Sequence, residues 1–574
     1  MSISVEISFV SPRETVEIHL PDGRVISGKR STPAGDFLKL AEDPKAPNVG
    51  AIINGELREL TYAINIDAYV TPVTMASSDG MHIYRRSLTF LLEAAFEDLF
   101  PDCNVNIDHS VAAGGYYCQV ENRPPLSVEE ITRLEGYMRE FVAEDIPFIR
   151  REVPLEEAKA YFQAKGYDDK VRLLAHRRKD YLRLYRLQDH MDYHHGYMVP
   201  STSYLKWFGL SLVEGADEGF TLRFPRKDNP TELQPPPQYP MLLSAFRQYR
   251  NWLEHLGINS VGALDDAIIE GRIDEVILVA EAFHEQYIAG ISSQIAGRRD
   301  RIRIILISGP SSSGKTTFSK RLSIQLLAQG ISPFPLEMDN YFVDREKTPR
   351  DENGELDFEA FEALDKKYLN RDLERLIAGE RVQLPRYNFK TGHQELGEMI
   401  QLIPGQMIIL EGIHGLNPAL ISEIPNEQIF RIYVSTLTQL NLDRQNRIST
   451  TDTRLIRRIV RDARERGYSA QETIKRWESV GRGEKRNIFP YQENADVMFN
   501  SALVYELSAL KELVEPLLRQ VPLGSPEYIE AKRLLAMLEW FLPIESDLIP
   551  DNSILSEFMG NSILRIFKIW QHLI

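Results

Sequence analysis

The feature that most constrains this chain is the octapeptide Gly309-Pro310-Ser311-Ser312-Ser313-Gly314-Lys315-Thr316, a full match to G-x-x-x-x-G-K-[ST]. An apolar run, Ile302 to Ser308, precedes it, and Thr317 to Ala328 follows with helix-forming composition closed by Gly330. Strand, glycine-rich turn and helix in that order predict a parallel α/β sheet with a phosphate cradle at one strand end. Glycines let successive backbone N–H groups turn inward on a polyphosphate, and the helix N-terminus adds partial positive charge. The predicted ATP-binding set is therefore Gly309, Pro310, Ser311, Ser312, Ser313, Gly314, Lys315, Thr316 and Thr317. Lys315 would reach the β- and γ-phosphate oxygens, and the Thr316 hydroxyl would take a place in a Mg²⁺ shell.

Other segments extend the pattern. Ile408-Ile409-Leu410-Glu411-Gly412 is an apolar strand ending in a carboxylate, which predicts Glu411 as the second group for Mg²⁺. Buried strands are expected at 304–308, 407–410 and 429–434. Between Arg444 and Arg486 stand thirteen Lys or Arg against six Asp or Glu, a cationic lid candidate. On a helix, Arg454, Arg458 and Arg461 share one row, and Arg457, Arg461 and Arg464 another. Such guanidinium groups suit the equatorial oxygens of a transferring phosphoryl group, and a solvated face paired with Asp462 and Glu465 is the alternative.

A chain of 574 residues exceeds one hydrophobic core. The fold class read from the pattern is α/β and multidomain: a small β-rich module at 1–75, an α+β domain at 76–225, a proline linker and helical bridge at 226–300, the P-loop domain with its parallel sheet at 301–505, and a helical extension at 506–574. Strands are expected at VEISFV (5–10), TVEIHL, GAIING and INIDAYVTPVTM, a helix from Tyr84 to Phe100, and a docked C-terminal helix over Ile563 to Ile574. The formal charge of -16 argues against a protein that coats nucleic acid. Two cysteines, no basic signal region and no 18-residue apolar run point to a reducing cytoplasm and no membrane span.

From about Arg301 to Asn500 the chain resembles the uridine kinase and phosphoribulokinase family, through GPSSSGKTTF (309–318), MDNYF (338–342), DFEAFEALD (357–365), LPRYNF (384–389), ILEGIHGL (409–416) and DTRLIRRIVRDARERG (452–467). The resemblance implies Asp339 as the base that takes the proton of an attacking sugar hydroxyl, with Tyr341 of the same motif on the substrate side. It implies Glu359 at the ribose hydroxyls, where the family uses Asp, with Asp357 near enough to compete. Tyr387 would pack against the base and His393 would take part in base recognition, although His393 falls one residue late and Gln394 stands where the family has Arg. Lys315, Arg457 and Arg458 would serve the transferring phosphoryl group, and Arg454 the substrate. The implied activity is ATP- and Mg²⁺-dependent phosphorylation of a nucleoside 5′-hydroxyl, uridine or cytidine first, by a homo-oligomer. The alternatives are an RNA-associated regulatory protein that uses the P-loop as a switch, with tRNA as a less favoured partner, and a kinase for another small hydroxyl compound.

Residues 1 to about 224 resemble the N-terminal part of threonyl-tRNA synthetase, a TGS-like module followed by the second additional, editing domain. The carrying motifs are Asn54-Gly55, IYRRSLTFLLEAAFEDLFP (83–101), HSVAAGGYY (109–117) and GYMVPST (196–202). The positions of that domain's H-x-x-x-H pair and later Cys and His are here Arg86, Phe90, His194 and Met198. Arg, Phe and Met cannot replace imidazoles in metal binding or water activation, so editing hydrolysis is expected to be absent. His190, His194 and His195 form a cluster without a well-spaced fourth ligand, and a metal site there is disfavoured.

Overall fold

The computed structural model describes residues 11 and 13–567, apart from 112–113, 214–218, 236–238, 351–353, 355, 389 and 439. The strand expected at 5–10 lies outside the described residues.

Five parallel strands form the sheet behind the P-loop, in the order Pro333–Glu337, Met407–Glu411, Ile304–Ser308, Ile429–Ser435 and Val497–Asn500. The strand that feeds the P-loop is central, and every residue of it is buried. Continuous apolar runs suit strands covered on both faces, which is why the three inner strands are readable from sequence. The outer two are less so. Pro333 and Pro335 read as strand breakers, yet Pro333–Glu337 lies at the sheet edge, where a missing N–H costs little.

In the front half, a five-stranded sheet (Val25–Lys29, Thr15–His19, Ala68–Thr74, Asn48–Ile53, Glu56–Arg58) precedes the helix Ser78–Leu99. That helix starts earlier than its apolar spacing suggests, because the Ser77 hydroxyl caps it by accepting the Gly80 N–H. It packs with Val128–Glu144 beside a four-stranded antiparallel sheet, and a three-stranded sheet follows (Ile149–Pro154, Tyr181–Leu187, His190–Tyr193).

The helices Pro240–Leu256, Val261–Ile269 and Ile273–Ala296 share one buried cluster with the parallel sheet, through residues such as Leu253, Leu264, Ile277, Ile305 and Phe318. The same cluster takes in Leu173 and Leu184 of the front half and Leu510 and Leu538 of the C-terminal helices. Across this junction the Lys170 ammonium lies 2.8 Å from Asp192 and 3.3 Å from Asp443, all three buried. Tyr193 donates its hydroxyl to Asp443, and Arg444 pairs with Asp169 at 2.7 Å. Within the described residues, the segment expected as a C-terminal helix shows one 3₁₀ turn, Ile563–Arg565. No helix among the described residues is long and apolar enough to cross a membrane.

Candidate active site

The P-loop runs from the end of the central strand to the helix Lys315–Ala328, with Ser312 and Gly314 in left-handed backbone (φ 60° and 82°). At Gly309 a Cβ would stand 1.9 Å from the Val434 carbonyl oxygen, so only glycine lets the turn close against the neighbouring strand.

Three of the predicted carboxylates gather around Lys315. Glu411 accepts the Thr316 hydroxyl at 3.0 Å, and burial pushes its carboxyl up to about 7 against the opposing charge of Lys315. Burial, reinforced by Glu484, also raises Glu359 to about 7, while Arg458 and Lys315 oppose the shift. Asp339 sits in a recess that solvent reaches, yet desolvation raises its carboxyl; Lys315 opposes this and Glu337 adds to it. Its carboxylate accepts no hydrogen bond among the described residues, which leaves it free to receive one from an alcohol. Thr316, in the first turn of the helix, and Glu411, at the end of the neighbouring strand, are hard oxygen donors, a donor set that fits Mg²⁺.

The arginine helix Thr450–Glu465 divides its guanidinium groups. Arg454 binds the Glu484 carboxylate and donates to the Ser311 carbonyl at 3.0 Å, while Arg458 donates to the Ser311 hydroxyl at 3.0 Å. Both lie over the Trp477 ring. Arg457, expected beside them, is fully buried behind the loop, where Glu506, Thr436 and the Ser501 carbonyl take its donors. Arg444 and Arg447 leave the expected lid altogether, the first for Asp169 and the second for the Tyr116 ring.

Two of the aromatic residues face inward. Tyr341 is fully buried, and its hydroxyl donates to Asp372 at 3.2 Å. Tyr387 is also buried, packed at 5.7 Å edge-on to Phe342 instead of offering an open face. His393 is exposed, with Nδ1 3.5 Å from Asp344. The three clustered histidines diverge: His190 contacts Glu97 and Asp98, His194 lies near Glu93 and Asp192, and His195 accepts from the Trp540 indole. Glu93, Asp192 and His194 do bring ligand atoms within 4.8 Å of one another, but the Lys170 ammonium already occupies Asp192.

Two residues absent from the sequence expectations sit on the cradle itself. Ser311 donates its backbone N–H to Glu484 at 2.9 Å. Thr317 donates its backbone N–H (3.3 Å) and hydroxyl (2.7 Å) to Glu557, on the short helix Ile554–Met559. Ile554 of that helix lies over Gly314, where a Cβ would meet its Cγ2 at 2.5 Å. Donors that would face phosphate oxygens thus hold the chain's own carboxylates.

Fold and cradle together define a P-loop nucleotide-binding domain. Residues 304–508 match the model of the Phosphoribulokinase / Uridine kinase family. The N-terminal half is similar to threonine–tRNA ligases: 35% identical over 207 residues to that of Delftia acidovorans, covering 35% of this chain and 32% of that protein. Threonine–tRNA ligase 1 of Bacillus subtilis is 31% identical over 205 residues, with the same coverage. The chain spans about a third of the length of these ligases. Among solved structures, a "possible uridine kinase" from Bacillus stearothermophilus is 21% identical with a TM-score of 0.24, covering 36% of this chain and 100% of that one. D-glycerate 3-kinase from Cryptococcus neoformans is 14% identical with a TM-score of 0.26, covering 37% of this chain and 89% of that one.

Proposed function

We propose that the P-loop domain transfers the γ-phosphoryl group of ATP to the 5′-hydroxyl of a nucleoside, with uridine and cytidine as the first substrates to try. The observation that carries this reading is the placement of Asp339, Glu359 and Glu411 around Lys315 at the mouth of the cradle. Asp339 takes the proton as the acceptor oxygen bonds to the γ-phosphorus and the bond to the bridging oxygen breaks, releasing ADP. Its raised affinity for protons strengthens it as a base once ionised. Lys315 neutralises charge on the β- and γ-oxygens, and Arg454 and Arg458 stand next to Ser311 to do the same for the phosphoryl in flight. Mg²⁺ held by Thr316 and Glu411 would polarise the phosphate oxygens. Glu359, beside Lys315 and Arg458, would bind the sugar hydroxyls. Nucleotide entry requires Glu557 and Glu484 to release the N–H groups of Thr317 and Ser311.

The test is ADP release from ATP and Mg²⁺ across a panel of nucleosides and other small alcohols. Asp339→Asn is expected to lower turnover by about 10²–10⁴. Full turnover of that variant at saturating acceptor would overturn the assignment of the base. A panel on which only a non-nucleoside alcohol is phosphorylated keeps the chemistry and replaces the acceptor. Tight, ATP-sensitive binding of tRNA with no phosphorylated product would favour the switch reading.

A further inference from the structure

Between the front half and the C-terminal helices lies a cavity of about 260 Å³, far from the P-loop in sequence and walled by both halves of the chain. Its lining includes His82 and Arg86 of the helix Ser78–Leu99, Arg177, the segment Tyr193–Tyr197, and Arg533 and Trp540.

The charges on this wall are out of balance. Lys179, Arg183, Lys532 and Arg533 have carboxylate partners in Glu539, Glu152, Glu56 and Asp452. Arg86, Arg150 and Arg177 have none within 4.0 Å among the described residues. Arg86 donates one hydrogen bond, to the Tyr197 carbonyl at 2.6 Å, and Arg177 one, to the Tyr181 carbonyl at 3.2 Å. Arg150 stacks over the Tyr197 ring at 5.0 Å, at the cavity mouth. Of the wall carboxylates, Glu56 and Glu539 already hold lysines, and burial pushes Asp79 up to about 6.

A guanidinium taken out of water without a counter-charge is costly, and it is retained where something else supplies the charge. The backbone has been shaped to seat this one: Gly196 adopts φ +117°, and a Cβ there would stand 2.8 Å from Arg86 Nη1. The Arg86 and Arg177 side chains are half-buried, Arg177 over the Trp540 ring at 4.5 Å, and desolvation lowers the Arg86 guanidinium to about 10 and Arg177 in the same direction, as for cations without a paired carboxylate. On the same wall, His82 Nδ1 and His195 Nε2 are buried with no hydrogen-bond partner.

We infer that this cavity binds a small organic anion, a phosphate monoester or a carboxylate, gripped by Arg86 and Arg177 with Arg150 at the entrance. Guanidinium forks recognise both anions in a planar, bidentate way, and the volume limits the ligand to metabolite size.

The test uses the full chain carrying Lys315→Ala, so that the P-loop does not contribute, titrated calorimetrically with ribose 5-phosphate and separately with malonate. At least one of the two is expected to bind with one-to-one stoichiometry, and which one identifies the oxyanion. In that background Arg86→Gln and Arg177→Gln should each weaken binding by about tenfold or more. If Arg86→Gln does not fold, Arg177→Gln and Arg150→Gln decide the matter in the same titration. Absence of binding by either anion up to about 10 mM, or unchanged affinity in the folded arginine variants, overturns the inference.

Discussion

The P-loop mouth and the front cavity are both built from charge, with opposite solutions to its cost. At the P-loop one lysine faces three carboxylates, and the exposed N–H groups of the loop are held by Glu484 and Glu557. In the cavity three of the lining arginines, Arg86, Arg150 and Arg177, have no carboxylate within 4.0 Å among the described residues, while the wall carboxylates Glu56 and Glu539 already hold lysines. The first site balances itself from within the chain and has to be opened for a ligand to enter. The second is open and lacks its counter-charge. The two halves of one chain therefore place opposite demands on a ligand, a cation-poor mouth in one and an under-neutralised arginine wall in the other.

Substitutions can break or sharpen this contrast. The largest effect is expected for Lys315→Ala, which leaves three carboxylates without their cation; ADP release should fall by roughly 10²–10³ or more, with anion binding in the front cavity unchanged. Loss of both together would mean that the two sites are not separate. Next, Glu557→Ala removes an internal competitor that takes two hydrogen bonds from Thr317, and the Kd for ATP should fall by about tenfold. A weaker Kd would show that Glu557 supports the loop rather than occupying it.

The smallest effect concerns pH. Glu359 and Glu411 have folded-state values raised to about 7, so between roughly pH 4.5 and 7 the folded chain holds protons that the unfolded chain has released. Their contribution to stability is complete at the acid end and is lost as pH rises through that window. Glu359→Gln with Glu411→Gln should therefore flatten the decline in Tm of the nucleotide-free protein over this range, by about 2 °C across it. An unaltered Tm profile would mean that solvent in the recess has already relieved the burial of both groups.

Much of the P-loop half is legible in the sequence because its signals are local. The cradle is eight consecutive residues, the central strand and its Met407–Glu411 neighbour are apolar runs, Glu411 ends one strand and Asp339 follows closely on another. What the sequence hides is long-range. Glu557 lies 240 residues from Thr317, and nothing around it sets it apart from a solvated acid. Glu484 offers a faint signal, a single acid flanked by Arg482, Lys485 and Arg486 in a basic stretch that must bury some of its charge. The inward direction of Tyr341, Tyr387 and Arg457 is hidden for another reason: spacing along a chain gives a side chain's neighbourhood but not its direction, and all three turn into the core. The cavity is invisible in the sequence because its walls come from segments more than 300 residues apart.

The buried Lys170 ammonium has a mechanical consequence. Burial alone would discharge it, yet Asp192 from the front half and Asp443 from the P-loop half hold its proton firmly. Pulling the halves apart would strand an acid on one side and a cation shared with the other, in surroundings too poor in water to shelter either. Such a rivet makes the two halves melt together, so a calorimeter should record one peak for the whole chain, and Lys170→Met should split it.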